Sequence, residues 1–290
     1  MLRVGVISYL PNQDNRGKRK TLVHKTLADI RTIVPYNIPI TIIAQNYDEG
    51  DEYVADGITY IHHREGIGQS AARNQLLEDF YNSDDDFLLY MDDDTSFYNR
   101  YNVIGLFEAL HNHPDWFNQV DVFTGIEGRF TPFTEANAKL DLEQQWVFKA
   151  MPVSTAGELR CIRNLKKYYG ETAYYKQGIH LGDNTIFNFG EDLYFRLEYS
   201  TKYNFFMCRN LILNNRGMAT YTSAIVDLSK VEQQDLYTDI TQQIYGLFNI
   251  GKTKGGDWDT RKYKTRIPYY SVTTSGVNSN TPGLSVKKLF

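Results

Sequence analysis

The spacing of apolar residues in the first hundred positions changes repeatedly between two patterns, and that change predicts strands alternating with helices. Leu2 to Ser8 is a short apolar run that breaks off into polar residues, the length of a buried strand. From Thr21 to Val34, Leu22, Val23, Leu27, Ile30 and Val34 fall near helical spacing. Ile40 to Ala44 and Ile58 to Ile61, rich in Ile and Thr and bounded by Pro and Gly, read as two more strands. A second amphipathic helix between Ile67 and Tyr81 carries Ala72, Leu76, Leu77 and Phe80. It is followed by Phe87 to Met91, five apolar or aromatic residues with aspartates on both sides. A run of that length and composition fits a strand covered on both faces. The alternation implies a Rossmann-like, mostly parallel sheet with helices on both faces, so the expected class is α/β. Near the other end, Leu236, Ile240, Ile244, Leu247 and Phe248 keep helical spacing up to a stop near Gly251.

Composition narrows the class further. Hydrophobic residues make up 42% of 290 positions and charged ones 23%, within the range of globular domains and outside that of disordered or fibrous chains. No apolar run reaches the roughly 18 to 20 residues of a membrane helix, and the opening strand leads into PNQDNRGKRK without a cleavage signal. A cytoplasmic protein is expected. Cys161 and Cys208 are too few and too far apart for a disulfide framework or a metal pair, and read as buried thiols. The pairs His62–His63 and His111–His113 lack partners at zinc spacing and read as coincidence.

The net charge of −4 conceals an asymmetry. From Lys252 to Phe290 eight basic residues face only Asp257 and Asp259, a local excess of +6. Between Arg160 and His180, Arg160, Arg163, Lys166, Lys167 and Lys176 stand among Tyr168, Tyr169, Tyr174 and Tyr175, with Glu171 the only acid. Cations interleaved with aromatic rings suit a polyanion with stackable bases, the alternative being an ordinary solvated face.

The sharpest chemical signal is Asp92-Asp93-Asp94, directly after the buried strand. Adjacent carboxylates repel, so their concentration at a strand end implies a cation or a positive ligand. Ligands in open α/β sheets bind at the carboxyl ends of the strands, and hard oxygen donors suit Mg²⁺ or Mn²⁺ completed by phosphate oxygens. Asp84 to Asp86, on the other flank, read as an acidic loop. A competing pattern, Gly246 to Thr253, satisfies the letters of a phosphate-binding P-loop and would make the chain an NTPase or kinase. Such a loop needs a strand before it and a helix after it, whereas here helical spacing runs through it.

An apolar strand ending in Asp-x-Asp some ninety residues into a chain that opens with a strand resembles the GT-A glycosyltransferases, in particular their family-2-like branch. Ile7-Ser8-Tyr9 resembles the segment that meets the nucleotide. Gly68 with Ala72-Arg73-Asn74 resembles the stretch opening the helix before the Asp-x-Asp strand, and Gly190-Glu191-Asp192 resembles the Glu-Asp pair of inverting members. The match covers roughly residues 1 to 200. It implies a nucleotide-sugar donor, a UDP-sugar by preference, contacted by Ser8, Tyr9, Asn46, Arg73, Asn74, Asp92 and Asp93, with Mn²⁺ or Mg²⁺ on Asp92 and Asp94. It also implies a catalytic base at Asp192 and a positioning carboxylate at Glu191. The chain departs from the pattern where members commonly hold uracil with an aspartate at the end of the second strand, carrying Gln45 and Asn46 with Asp48 slightly later. It also has no histidine after Asp192 to complete a metal shell, leaving Asn214, Asn215 or water.

The expected organisation is a nucleotide-sugar half over 1–98, an acceptor and catalytic half over 99–250, in which His180 or Asp183 could meet acceptor hydroxyls, and a basic extension over 251–290. With the two basic stretches in mind, the favoured acceptor is a hydroxymethylated base in bacteriophage DNA, flipped from the stack onto tyrosines. The alternative is a surface polysaccharide or glycolipid.

Overall fold

The computed structural model describes residues 1–10, 16–98, 100–127, 145–150, 159–177, 179–181, 185–187, 190–215, 230–263, 267, 269–273 and 278–279. Its first part is β1 (Leu2–Tyr9), α1 (Arg16–Ile33), β2 (Ile40–Gln45), β3 (Ile58–His63), α2 (Gln69–Tyr81) and β4 (Phe87–Asp92). Next come β5 (Thr95–Phe97), α3 (Arg100–Asn112), β6 (Val122–Glu127), β7 (Gln145–Ala150), β8 (Leu159–Arg163) and α4 (Leu165–Tyr169). The remainder is β9 (Ile179–Leu181), β10 (Thr185–Phe187), α5 (Glu191–Tyr199), β11 (Phe205–Asn215), α6 (Lys230–Leu247), β12 (Tyr269–Thr273) and β13 (Asn278–Ser279).

One sheet carries nearly all the strands, in the order β13-β12-β7-β11-β6-β8-β4-β1-β2-β3, with β5 pairing β11. β1 runs parallel to β2 and β4, and β2 to β3. β8 is inserted antiparallel between β4 and β6, and β11 runs parallel to β6. The sheet is therefore parallel from β4 through β1 and β2 to β3, and mixed from β8 toward β13. It does not stop at either expected boundary, because β5 joins β11 across residue 98 and β12 joins β7 from beyond residue 250.

The two-sided burial inferred for the apolar strands follows from strand alternation. Phe87, Leu89 and Met91 of β4 enter one core with Val23, Leu27 and Ile30 of α1 and Leu106, Phe107 and Leu110 of α3. Leu88 and Tyr90 enter the opposite core with Ala72, Leu76 and Leu77 of α2 and Phe195 of α5. α2 lies so close to β1 that a Cβ on Gly5 would stand 2.6 Å from Cδ1 of Leu76, which makes glycine obligatory at that crossing. A third cluster, with Leu197, Ile240, Ile244 and Tyr245, packs α5 on α6.

Cys161 and Cys208 are free and buried, as expected. Among the described residues no helix is long and apolar enough to cross a membrane. Two boundaries differ from expectation. α1 begins at Arg16, ahead of the first apolar position, for reasons that lie in the site described below. α6 ends at Leu247, where Asn249 adopts a left-handed φ of 52° and the Ile250 N–H bonds Tyr245 O at 2.9 Å, closing the helix before Gly251. The P-loop letters thus begin inside a helix, and among the described residues no α-helix follows them, only a single 3₁₀ turn at Arg261–Tyr263. Neither structural requirement for cradling a phosphate is met.

Candidate active site

The parallel strands β1, β2 and β4 end side by side at Tyr9, Gln45 and Asp92, where an open α/β sheet offers its ligand crevice. The three aspartates that follow have separate fates. Asp93, only 3% exposed in its side chain, accepts from the Ser8 hydroxyl and pairs with Arg19 of α1. Ser8 is in turn 2.6 Å from the Tyr47 hydroxyl. Burial raises the pKa of Asp93, and Arg19 and Ser8 oppose that rise. Ser8 and Asp93, both expected to meet nucleotide, therefore support the crevice from beneath. Arg19 lies in the basic run Arg16–Lys20, which explains the early start of α1: partners across the sheet hold these residues helical.

Asp92 turns the other way. Oδ1 of Asp92 lies 3.6 Å from Nη2 of Arg73, a guanidinium buried at the start of α2. Nη1 of the same arginine reaches Oε1 of Glu191 at 3.0 Å and Oδ1 of Asp192 at 3.2 Å. One cation thus connects the strand end to the start of α5. Gly190 makes this possible, entering α5 at φ 78° with Ile244 Cδ1 2.6 Å from where a Cβ would stand. Arg160 of β8 meets the same carboxylate, its Nη2 3.0 Å from Oδ1 of Asp192.

These charges set the protonation of the site. Burial pushes Asp92 up to about 6 against the pull of Arg73, with Asp192 and Asp93 adding to the rise. Burial also raises Asp192, but Arg73 and Arg160 outweigh it and hold that carboxyl below its ordinary value. Glu191, more deeply buried and beside the Asp192 anion, is pushed up to about 7. The Glu191 carboxyl therefore holds its proton in the folded chain over a pH range where the unfolded chain has released it. Stability from this group falls as pH rises from the ordinary carboxylate range through about 7, by on the order of 1–3 kcal/mol. Glu191→Gln is expected to abolish that slope. Urea melts between pH 5 and 8 should show the variant gaining on the native protein as pH rises; parallel curves would contradict the assignment.

The other expected donor contacts are placed as follows. Asn74 uses both ends of its amide on the backbone of Tyr175, at 2.7 Å each, and so fixes a loop behind the site. Asn46, at a left-handed φ of 60°, donates to Leu10 O. Gln45 accepts from the Ile67 and Gly68 amides at 2.8 and 3.2 Å, tying the end of β2 to the start of α2. The ring of Tyr9 packs against Gly66. The backbones of Asn214 and Asn215 pair with Ser96 and Thr95, directly after Asp94. Asp183 lies outside the described residues, and His180 is on β9.

The basic, tyrosine-rich stretch is divided between surface and interior: Lys166, Lys167, Tyr168, Tyr169 and Lys176 are exposed. Arg160, Arg163 and Tyr175 are buried. The Tyr168 and Tyr169 hydroxyls bond Asp86 and Asp121 at 2.7 Å each. Lys167 pairs with Asp86, which also gives a role to the last of the flanking aspartates. The reason is the amphipathic strand β8, whose alternate side chains enter opposite cores and carry two arginines with them. Of the paired histidines, His62 meets Glu52, His63 meets Gln75 and His113 stacks on Trp116.

Among the described residues no group of three or more His, Cys, Asp or Glu side chains gathers to hold a metal unaided. The donor set nevertheless fits a hard divalent cation completed by ligand oxygens. Asp92 is crowded by other carboxylates, and only one distant guanidinium contact of 3.6 Å offsets it. Asp92 and Asp94 could hold it. Sequence reasoning missed Arg19, Tyr47, Arg160 and Tyr175. Arg19 and Arg160 carry no local sign of their role, since each looks like one cation in a basic run.

No protein-family model matches the sequence, and no curated protein sequence does. Solved structures do. The chain aligns with a mannosyltransferase from Pyrobaculum calidifontis, solved with GDP-Man and Mn²⁺, over 88% of its own length and 66% of that chain, at 12% identity and a TM-score of 0.50. It thus spans just under two thirds of that protein. Glucosyl-3-phosphoglycerate synthase from Mycobacterium tuberculosis, with Mn²⁺ and UDP, aligns over 83% of this chain and 79% of that one, at 12% identity and a TM-score of 0.47. The 1–349 segment of TarS from S. aureus aligns over 84% of this chain and 72% of that segment, at 11% identity and a TM-score of 0.46. At such identity the likeness carries the fold alone, and the fold is the GT-A type expected from the sequence.

Proposed function

We propose that the chain is a metal-dependent glycosyltransferase that moves a sugar from a nucleotide-sugar to an acceptor hydroxyl with inversion. The observation that carries this reading is the reach of Arg73. A single buried guanidinium joins Asp92, at the strand end where a donor diphosphate and its cation would sit, to Glu191 and Asp192 across the crevice. Residues 1–98 would then hold the donor and 99–250 the acceptor.

A divalent cation on Asp92 and Asp94 would neutralise the charge that develops on the departing diphosphate. Asp192 is the accessible carboxylate of the pair, with 21% of its side chain exposed against 9% for Glu191. Held ionised by its arginines, Asp192 takes the proton of the acceptor hydroxyl as that oxygen bonds the anomeric carbon. The bond from that carbon to the diphosphate breaks, its electron pair leaving with the diphosphate. Attack from the face opposite the leaving group inverts the anomeric centre. Glu191, more buried and bonded to Arg73, keeps that arginine and Asp192 in register.

For the acceptor, the inward turn of Arg160, Arg163 and Tyr175 favours a glycan hydroxyl over a flipped DNA base. The exposed cations left to dock a duplex include Lys166, Lys176 and an Asp86-paired Lys167 in this stretch, and Lys252, Lys254 and Lys262 beside Asp257 and an Asp259–Arg261 ion pair. Because Gln45 is tied to the α2 loop, the nucleobase is best read from a panel of donors. The test is release of nucleotide from UDP- and GDP-sugars with Mn²⁺, using labelled sugar and either oligosaccharide or hydroxymethylcytosine DNA as acceptor. Label is expected in the oligosaccharide, with no steep salt dependence. Transfer to DNA, with affinity falling about tenfold or more between roughly 50 and 200 mM salt, would restore the nucleic-acid reading. No nucleotide release with any donor would overturn glycosyl transfer itself.

A further inference from the structure

Arg160 belongs to none of the motifs that suggested the site, yet it is among the residues nearest its chemistry. It sits on β8, opposite Tyr90 of β4 and Thr124 of β6. Its guanidinium is buried beside the stacked rings of Tyr175 and Phe195, 5.6 Å and 5.3 Å from their centroids. Nη1 donates to the Tyr175 hydroxyl at 2.8 Å, and that hydroxyl is 2.6 Å from the hydroxyl of Tyr90. Nη2 stands 3.0 Å from Oδ1 of Asp192, the one ion pair of Arg160 among the described residues. Phe195 lies one turn beyond Asp192 on α5, so the same guanidinium touches both the carboxylate and the helix that carries it.

Arg73 also reaches the same oxygen, at 3.2 Å. Two guanidiniums therefore close on Oδ1. A carboxylate held by one oxygen between two cations loses rotation about its last bond, and its other oxygen acquires a fixed direction. Stability does not demand this arrangement, since a buried ion pair is often replaced by apolar residues of similar volume at no cost. A reaction that must place one lone pair against an acceptor hydroxyl does demand it, because a displacement of about 1 Å can cost on the order of 100-fold in rate.

We propose that Arg160 is a positioning residue of the transfer reaction: by closing on Oδ1 of Asp192 together with Arg73, it fixes the direction in which that carboxylate meets the acceptor hydroxyl. The inference rests on the glycosyltransferase reading above. Arg160 touches neither substrate in this scheme and acts only through Asp192 and Tyr175.

The test is the kinetics of Arg160→Met and Arg160→Lys beside the native protein, with thermal melts and calorimetric binding of the nucleoside diphosphate plus Mn²⁺. Methionine fills much of the space beside the stacked Tyr175 and Phe195 rings without a charge. It is expected to lower kcat about 10- to 100-fold while donor KM and nucleotide affinity stay within about twofold of native values. Lysine can reach the Asp192 carboxylate but cannot bond Tyr175 at the same time, so it should recover part of the lost kcat. Native kcat in Arg160→Met would overturn the proposal, as would a donor KM that rises in step with the loss. Should Arg160→Met melt below the assay temperature, Arg160→Lys decides by the same separation of kcat from KM, native kcat in it overturning the proposal. A native protein without transferase turnover overturns the glycosyltransferase reading and this one with it. An active native protein matched by Arg160→Met overturns this one alone.

Discussion

Asp192→Asn is expected to transfer sugar about 10² to 10⁴ times more slowly than the native protein while binding the donor nucleotide unchanged. The amide cannot take the proton of the attacking hydroxyl, and Asp192 lies across the crevice from the strand ends where the nucleotide would bind. The fold should survive. Removing one partner of a fully buried ion pair costs roughly 3–5 kcal/mol, against a total stability of roughly 5–15 kcal/mol. Asp192 is one-fifth exposed, Arg73 keeps Glu191 and Asp92, and the asparagine oxygen still faces the guanidiniums. Single-turnover kinetics combined with calorimetry separates the chemical step from binding. A variant with near-native rate would make Asp192 structural and move the proton acceptor to Glu191, which burial pushes to about 7 and so gives the greater proton affinity.

Chelation should abolish turnover, and Mn²⁺ or Mg²⁺ should restore it. Asp94→Asn should reduce kcat more than about 100-fold, since a cation stabilising a leaving diphosphate contributes several kcal/mol to the transition state. The physical ground is the state of Asp92, raised to about 6 by burial and by the carboxylates around it. A divalent cation would convert that destabilised anion into a ligand, displacing the proton it holds at mildly acidic pH. Mn²⁺ titrated into a chelated sample at about pH 6 is therefore expected to release protons as well as restore activity, both measurable in the same weakly buffered solution. Turnover undiminished without metal would sink the assignment of Asp92 and Asp94.

Much of the fold is legible in the sequence because its signals are local. The apolar runs at β1, β2 and β4 and the helical spacing of α2 depend on burial patterns that repeat within a few residues, and the structure places them within two residues of expectation. The order of the motifs was enough to suggest the GT-A type, since each motif marks a strand end or a helix start. The three adjacent aspartates also stand out locally, because their mutual repulsion is written in consecutive positions.

What the chain alone did not reveal depends on contacts between distant segments. The run Arg16–Lys20 has the composition of a polar loop, and only distant carboxylates, Asp51 for Arg16 and Lys20 and Asp93 seventy-four residues beyond Arg19, make it the first turns of α1 and a support for the crevice. Arg160 and Tyr175 look like part of a cationic, aromatic surface until β8 is seen inserted between β4 and β6, an antiparallel placement that no local pattern encodes. The different fates of Glu191 and Asp192 could not be read from two adjacent acids. Sequence determined that carboxylates would stand at both sides of the crevice. The tertiary structure decided which of them remain charged, because desolvation and the convergence of Arg73 and Arg160 are properties of the packed site and of no single segment.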